Sequence, residues 1–197
     1  MLEKTMDVKL GVSNRHVHLT KEDFDLLFGN DCQLEVDRYL FQPQQFASTL
    51  FVDIKTEKNI IKRVRVLGPF RNYTQVEISK TDAYKLGLNP PIVDSGDLLN
   101  AEEIEIIGPN GSIKRKSAII ANRHIHLTKQ QKIELGLDNV DRVSVLFEGE
   151  KTTLFYDVKL KVLENAKFEL HLDTDDANGA LLKTGDYGKI IMKQQNY

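Results

Sequence analysis

Apolar and β-branched residues recur in short runs along the whole chain, and many of these runs alternate with polar positions. Because successive side chains of a strand point to opposite faces, such runs predict β-strands. The predicted strands lie at 8–18, 46–54, 60–66, 104–107, 112–115, 142–147, 153–163, 167–172 and 188–192. Many short strands with few helices predict a mainly β fold built from compact barrels or sandwiches.

Short helices are predicted directly after three strand ends, where a hydroxyl side chain is followed three positions later by a carboxylate or an amide. This spacing matches a capping box, in which each side chain bonds the backbone N–H of the other residue. The pairs are Thr20 with Asp23, Ser79 with Asp82, and Thr128 with Gln131, and the helix ends are Gly29, Gly87 and Gly136. Two positions before each cap stands a side chain that can bind a metal: His18, Glu77 and His126.

A histidine pair occurs twice in the same sequence setting, Asn-Arg-His-x-His-Leu-Thr, at 14–20 and at 122–128. Four of the five histidines lie in these two pairs. Alternate residues of a strand share a face, so the two imidazoles of a pair can bind one ion at about 2.0–2.1 Å per nitrogen. A single His-x-His is also typical of a half-exposed edge strand. Its repetition favours a metal site, and imidazole ligands favour zinc.

The segment 167–173 alternates cleanly between apolar and polar side chains. One face carries Glu169, the fifth histidine His171, and Asp173, while the other face is apolar. The acidic residues from Asp173 onward resemble a calcium loop only superficially, because an EF-hand needs glycine at 178 and glutamate at 184. Local side-chain caps of a turn are their expected role.

The composition is that of an ordinary globular protein. Of 197 residues, 41% are hydrophobic and 28% are charged, which is enough to bury a core. A formal net charge of −2 gives no reason to expect nucleic acid or an anionic membrane as partner. Cys32 is the sole cysteine, which excludes an intrachain disulfide and a cysteine-rich zinc finger. No apolar run reaches the ~18 residues of a membrane span and no signal-peptide pattern begins the chain, so a cytoplasmic location is expected.

Seven ordered segments, together with Arg71, carry a family resemblance: 11–20, 42–47, 64–69, 74–77, 95–98, 123–126 and 171–175. In these segments the chain closely resembles the phosphate propanoyltransferases, the phosphotransacylases found with bacterial microcompartments. The resemblance implies a mainly β fold of two small β-barrel domains with short capping helices and a dinuclear metal site at their junction. It also implies that the N-terminal strand completes the C-terminal barrel, giving domains of 1–20 plus 118–197 and of 21–117.

The resemblance also implies the site residues. The family's zinc ligands match His16, His18, Glu77, His124, His126 and His171, for two Zn²⁺ ions per chain. Their division between the two ions stays open. Arg71 matches the arginine that contacts phosphate, and even spacing along one strand would put Arg71 on the same face as Glu77. Residues that bind coenzyme A are not assigned individually, although the region around 95–97 is implied. Gln44 stands where glycine is common and Val93 where a basic residue is frequent, so coenzyme A affinity is expected to differ from that of relatives.

The function implied is phosphotransacylation, in which acyl-CoA and phosphate give acyl phosphate and coenzyme A, with propanoyl or acetyl chains, in propanediol degradation. Direct attack of metal-bound phosphate on the thioester is expected, because no serine, cysteine or lysine stands out as a covalent nucleophile. The expected partners are acyl-CoA, coenzyme A, phosphate and acyl phosphate, without nucleic acid or membrane, and homo-oligomerisation stays open. Few residues precede the first strand, so we do not expect an N-terminal extension to target the protein to the lumen of a microcompartment.

Two other functions fit the same ligands. A dinuclear zinc hydrolase would direct a metal-bound hydroxide at a thioester or phosphoester. A non-enzymatic protein would use zinc only to hold two small barrels together. Structural zinc is usually closed by four protein ligands, whereas six ligands for two ions leave positions open for a substrate, which favours an enzyme.

Overall fold

Strands dominate the computed structural model of the protein, which describes residues 6–191. The strands are β1 (Met6–Ser13), β2 (His16–His18), β3 (Val36–Tyr39), β4 (Phe46–Lys55), β5 (Ile60–Gly68), β6 (Gln75–Glu77), β7 (Ile92–Val93), β8 (Glu102–Ile107), β9 (Ser112–Ala121), β10 (His124–Leu127), β11 (Arg142–Phe147), β12 (Thr153–Val162), β13 (Glu169–Asp173) and β14 (Tyr187–Ile191). The helices are α1 (Lys21–Phe28), α2 (Lys80–Leu86), α3 (Lys129–Glu134) and α4 (Thr174–Gly179). The predicted mainly β fold with short helices is confirmed.

Two local predictions are wrong. The predicted strand 8–18 is two strands, β1 and β2, which break at Asn14 and pair in different sheets. The predicted turn after Asp173 is the helix α4, with Asp173 as its N-cap. The end of the last predicted strand, Met192, lies outside the described residues.

Six strands close one barrel, in the order β1, β13, β10, β12, β11 and β14, from residues up to Ser13 and from Asn122 onward. We call this unit the C-terminal barrel. Its first strand comes from the N-terminal part of the chain and pairs in parallel with β13 and antiparallel with β14. Alternation along the strands fills the interior with fully buried side chains such as Leu10, Ile125 and Leu170.

Residues 14–121 form the second unit, the central barrel. Its closed circuit runs β2, β5, β4, β8, β9 and β6, and each neighbouring pair is hydrogen-bonded. Strand β3 adds to β4, and β7 adds to β9. The interior is apolar, with Val17, Val66 and Val76 fully buried. The unit boundaries, at Ser13/Asn14 and Ala121/Asn122, differ from the predicted ones, so β2 with its histidine pair belongs to the central barrel.

Around both barrels, neighbouring strands follow the same order of parallel and antiparallel pairs. In the C-terminal barrel, β10 lies between β13, which is antiparallel to it, and β12, which is parallel. In the central barrel, β2 lies in the same way between antiparallel β6 and parallel β5. Strands β10 and β2 carry the two histidine pairs. The sequence repeat therefore reflects two copies of one barrel, with the histidines on corresponding strands.

The two faces of β10 carry different functions, which a stability measurement can separate. Ile125 lies between the two histidines, is 0% exposed and packs in the barrel core. We expect Ile125→Ala to lower the free energy of unfolding by about 2–5 kcal/mol through the lost burial and the cavity. The matched control is Ile133→Ala on α3, where the side chain is 48% exposed and a change within about 0.5 kcal/mol is expected. Equal effects of the two changes in urea unfolding would contradict this assignment of the core.

Among residues 6–191, no helix is both long enough and apolar enough to cross a membrane.

Candidate metal sites

The same type of side-chain N-cap occurs at four strand–helix junctions. The N-cap side chain of each helix accepts a hydrogen bond from the backbone N–H three residues later, at 2.8–3.2 Å. The four caps are Thr20, Ser79, Thr128 and Asp173. The residue before each cap is a buried apolar side chain: Leu19, Ile78, Leu127 and Leu172. The residue before that points to the opposite face of its strand, because the side-chain period is two.

Those four opposite-facing residues are His18, Glu77, His126 and His171. Three of them were visible from the sequence as copies of one pattern. The fourth, His171, follows the same pattern, but its cap is an aspartate in a segment predicted as a turn. The signal that could have identified it was Asp173 with Asp176 three positions later, which is a cap with its bonded N–H.

The central barrel brings His16, His18 and Glu77 together, with one ligand atom of each within 4.8 Å of the others. His16 and Glu77 are directly opposite in the antiparallel register of β2 and β6. His16 Nε2 lies 3.5 Å from Glu77 Oε2, and its Nδ1 lies 2.8 Å from the carbonyl oxygen of Asn14. An Nδ1–H that donates to Asn14 leaves the lone pair on Nε2, which faces the carboxylate.

The pKa of His16 is the balance of opposing effects. Burial lowers it, but the charge and hydrogen bond of Glu77, with the backbone hydrogen bond of Asn14, outweigh burial and raise the pKa above its usual value. The carboxylate of Glu77 thus favours a positive charge at this position.

The C-terminal barrel brings His124, His126 and His171 together in the same way, with ligand atoms within 4.8 Å of one another. His124 is opposite His171 in the antiparallel register of β10 and β13, as His16 is opposite Glu77. His124 Nδ1 lies 2.7 Å from the carbonyl oxygen of Asn122, the counterpart of Asn14. The first histidine of each pair is therefore held by the same backbone contact.

The ligand chemistry of both groups fits zinc. Two ligand atoms bound tetrahedrally at about 2.0–2.1 Å lie about 3.3 Å apart. His124 Nε2 and His126 Nε2 are 3.0 Å apart, close to that spacing. Imidazole nitrogen and carboxylate oxygen are ordinary zinc ligands, and three of them leave a fourth position open, as in catalytic zinc sites. The six residues implied by the family resemblance thus lie in two groups of three.

The arginine before each histidine pair holds the helix that follows the third ligand. Arg15 binds Asp82 through Nε at 2.9 Å and Nη2 at 2.8 Å, and Asp82 is the third residue of α2. Arg123 binds Asp176 through Nε at 2.6 Å and Nη2 at 2.7 Å, and Asp176 is the third residue of α4. Each two-bond ion pair ties a histidine strand to the strand–helix junction opposite it, which fixes the third ligand relative to the pair.

Arg71 lies near the central-barrel group, but not for the reason expected from spacing. Strand β6 begins at Gln75, so Arg71 lies before the strand and the prediction of one shared strand face is wrong. Instead, Arg71 Nη1 donates to Ser95 Oγ at 3.1 Å, and Gln75 Nε2 donates to the same oxygen at 2.9 Å. Gln75 Nε2 also donates to Glu77 Oε1 at 2.6 Å. A hydrogen-bonded chain therefore links Arg71 to a ligand of the site.

Gln44, where the resembling family commonly has glycine, has a φ of 62°. This left-handed region is available to glycine without a steric penalty and is disfavoured for a residue with a Cβ atom. This backbone shape suits the glycine that the resemblance implies at position 44, and Gln44 adopts the shape at some cost in backbone strain.

Comparison with known proteins identifies the family of the chain. The phosphate propanoyltransferase family model matches residues 9–183, nearly the whole chain. The chain belongs to the phosphate propanoyltransferase family. A relative with that name from Thermotoga maritima is 47% identical over 97% of this chain and 92% of its own length. Relatives of the same name from Priestia megaterium and Rhodopseudomonas palustris are 44% and 42% identical, over 95% and 94% of this chain and 87% and 83% of their own lengths.

Membership of the phosphate propanoyltransferase family confirms the predicted family, the enzyme class and the phosphotransacylase function. The protein is an acyltransferase. The non-enzymatic alternative is therefore wrong.

Proposed function

We propose that this phosphotransacylase uses two zinc ions, one in each three-ligand group, and transfers a short acyl chain between coenzyme A and phosphate. The observation that carries the proposal is the assembly of all five histidines and Glu77 into two groups on corresponding strands. The relatives are named for propanoyl transfer, which supports propanoyl-CoA as a substrate, with acetyl-CoA as the shorter analogue. The dinuclear centre implied by the family resemblance stays a prediction.

The role of the metal is limited and specific. Zinc bound to these ligands supplies a Lewis acid, which attracts the anionic phosphate and polarises the thioester carbonyl. The protein residues hold the ligands in place: backbone carbonyls of Asn14 and Asn122 fix His16 and His124, and paired arginines fix the opposing strand ends. Preorganisation of this kind keeps the site from rearranging during the reaction.

Arg71 is the proposed phosphate anchor. Its guanidinium donates to the neutral oxygens of Tyr73, Ser95 and Gln45, at 2.9, 3.1 and 3.3 Å. Within residues 6–191, its guanidinium forms no direct ion pair with a carboxylate. These three bonds use both Nη1 hydrogens and one Nη2 hydrogen, so the Nε–H and the second Nη2–H are the donors that this proposal assigns to a phosphate, and neutral acceptors leave the positive charge in place.

Phosphate itself is the proposed nucleophile. Its oxygen attacks the carbonyl carbon of the thioester, the C–S bond breaks, and coenzyme A leaves as its thiolate. Cys32, the sole thiol, is half-buried against the core of the central barrel, and its Sγ donates to the carbonyl oxygen of Gln33 at 3.8 Å. That packing gives Cys32 a structural role and does not favour an acyl-enzyme intermediate on it.

Metal analysis combined with product analysis tests the proposed function. We expect close to two zinc ions per chain in protein purified without added metal, because six ligands exceed the four of one tetrahedral ion. Loss of propanoyl-CoA or acetyl-CoA should require phosphate, and one acyl phosphate should form for each thiol released. Thioester loss that is independent of phosphate would instead support the dinuclear zinc hydrolase. Full activity at a zinc content near zero would contradict the metal-dependent proposal.

A further inference from the structure

We propose that Glu169 is a positioning residue of the C-terminal metal site, where it fixes His171 and adds the negative charge that the three histidines lack. This inference rests on the proposed two-zinc function and extends it to a residue that the ligand assignment leaves out.

Glu169 lies beside the C-terminal group of three histidines. It precedes His171 by two positions on β13, so both side chains point to the same face of the strand. Glu169 Oε2 is 2.8 Å from His171 Nε2, and the residue is only 4% exposed. In the register of β10 and β13, Glu169 is directly opposite His126. A carboxylate is thus buried against one ligand and beside another.

The central barrel has a polar residue at the corresponding position. Gln75 precedes Glu77 by two positions on β6, is directly opposite His18, and donates from Nε2 to Glu77 Oε1 at 2.6 Å. Each ligand strand therefore carries a ligand and a neighbour that bonds it. In one barrel the ligand is the carboxylate and the neighbour is an amide. In the other, the ligand is His171 and the neighbour is the carboxylate of Glu169.

Because the carboxylate is a ligand in one barrel and the neighbour of a ligand in the other, each site contains one negative charge. Two neutral imidazoles and Glu77 reduce the charge of a bound Zn²⁺ to +1, whereas three neutral imidazoles leave it at +2. With Glu169 included, the C-terminal group also reaches +1. Donation from His171 Nε2–H to Glu169 leaves Nδ1 as the nitrogen of His171 that would bind zinc. A carboxylate bonded to the other ring nitrogen of a ligand histidine fixes the orientation and tautomer of the ring and raises its basicity, and loss of such a partner typically lowers metal affinity 10–100-fold.

Gly11 leaves room for this carboxylate. It pairs with His171 in the parallel register of β1 and β13. A Cβ atom at position 11 would lie 2.8 Å from Glu169 Oε1 and 3.0 Å from Glu169 Cδ, closer than side-chain atoms normally approach. Gly11 is not among the glycines with positive φ, so alanine suits its backbone. Gly11→Ala should therefore displace the carboxylate without removing its charge.

Zinc affinity of the full chain is the measurement that tests Glu169. Metal-free protein is refilled with zinc in competition with a chromophoric chelator, and unfolding is followed on the same samples. We expect Glu169→Gln, which keeps size but removes charge, to lower affinity at one of two sites by about 10–100-fold and leave the other unchanged. Gly11→Ala should act in the same direction. The matched control is Glu148→Gln, an exposed glutamate paired with Lys189, which should bind zinc as wild type does.

The outcomes separate this inference from the proposed function. Wild-type protein that binds no zinc would overturn both. Wild-type protein with two zinc ions, and a folded Glu169→Gln protein with the same two affinities, would overturn the role of Glu169 alone. If Glu169→Gln does not fold, Gly11→Ala decides: a folded Gly11→Ala protein with wild-type affinities also overturns the inference, and a selective loss at one site supports it.

Discussion

We expect His124→Ala to abolish turnover while both barrels stay folded. His124 contributes one of three ligands to the C-terminal group and points away from the barrel core. With only His126 and His171 left, zinc is held by two residues, which is fewer than catalytic zinc sites use. Loss of a single preorganised electrostatic donor typically costs 10²–10³ in rate, and loss of a metal ion removes a stronger one, so a fall of about 10³-fold or more is expected.

Three measurements on the same sample check the His124→Ala prediction: turnover, zinc content and thermal unfolding by circular dichroism. Zinc content should fall from about two ions towards one per chain. The neighbouring change Ile125→Ala serves as the internal comparison, because its side chain lies in the core. It should lower stability and spare the zinc ligands. If zinc were needed mainly to hold the fold, His124→Ala would instead lose cooperative unfolding. An active His124→Ala protein would contradict a functional metal site at this position.

Local sequence features predicted much of the site. Caps and hydrophobic alternation are short-range properties, so Thr20, Ser79 and Thr128 marked three strand ends, with a possible ligand two residues before each. All five histidines and Glu77 lie in the two candidate groups. The division into two groups could not be read locally, because it depends on which strands pair across the sheet.

Long-range strand pairing also explains why the prediction of one strand from Val8 to His18 is wrong. Val8 to His18 has continuous strand character, yet β1 pairs with β13 and β14 while β2 pairs with β5 and β6. Nothing in the local pattern indicates that a strand changes barrels at Asn14, since both halves satisfy the same alternation. Glu169 shows the same limit. The alternation of residues 167–173 predicts that Glu169 and His171 share a strand face, but only the structure shows that the two side chains are in contact.

The local sequence pattern also does not predict the backbone conformation at Gln44 or the position of Arg71. Gln44 with φ of 62° carries no glycine to signal a left-handed residue. Arg71 was expected on a strand with Glu77, but the strand is only three residues long and starts at Gln75. The link between them runs through Ser95, a residue distant in sequence. The expected cytoplasmic location stays a prediction.

Arg71→Ala should impair phosphate use more than any other change that spares the metal ligands. Phosphate attack on the thioester carbonyl develops negative charge, and a preorganised guanidinium stabilises that charge without rearrangement. Its loss should cost about 10²-fold or more in rate, equivalent to about 2.7 kcal/mol of transition-state stabilisation. Zinc content should stay at the wild-type value, because Arg71 belongs to neither ligand group.

Arg71→Lys distinguishes charge from geometry. Lysine keeps the positive charge but has a single ammonium group, so it loses the planar donors that Arg71 directs at Tyr73, Ser95 and Gln45. We expect it to recover only part of the activity. Steady-state kinetics against phosphate, at saturating acyl-CoA, give the comparison. The control is Arg142→Ala, an exposed arginine on β11, a strand without ligands, which should leave the phosphate dependence unchanged. Wild-type turnover and phosphate dependence in Arg71→Ala would place the anchor at another residue, since a guanidinium that binds phosphate in the transition state cannot be removed without cost.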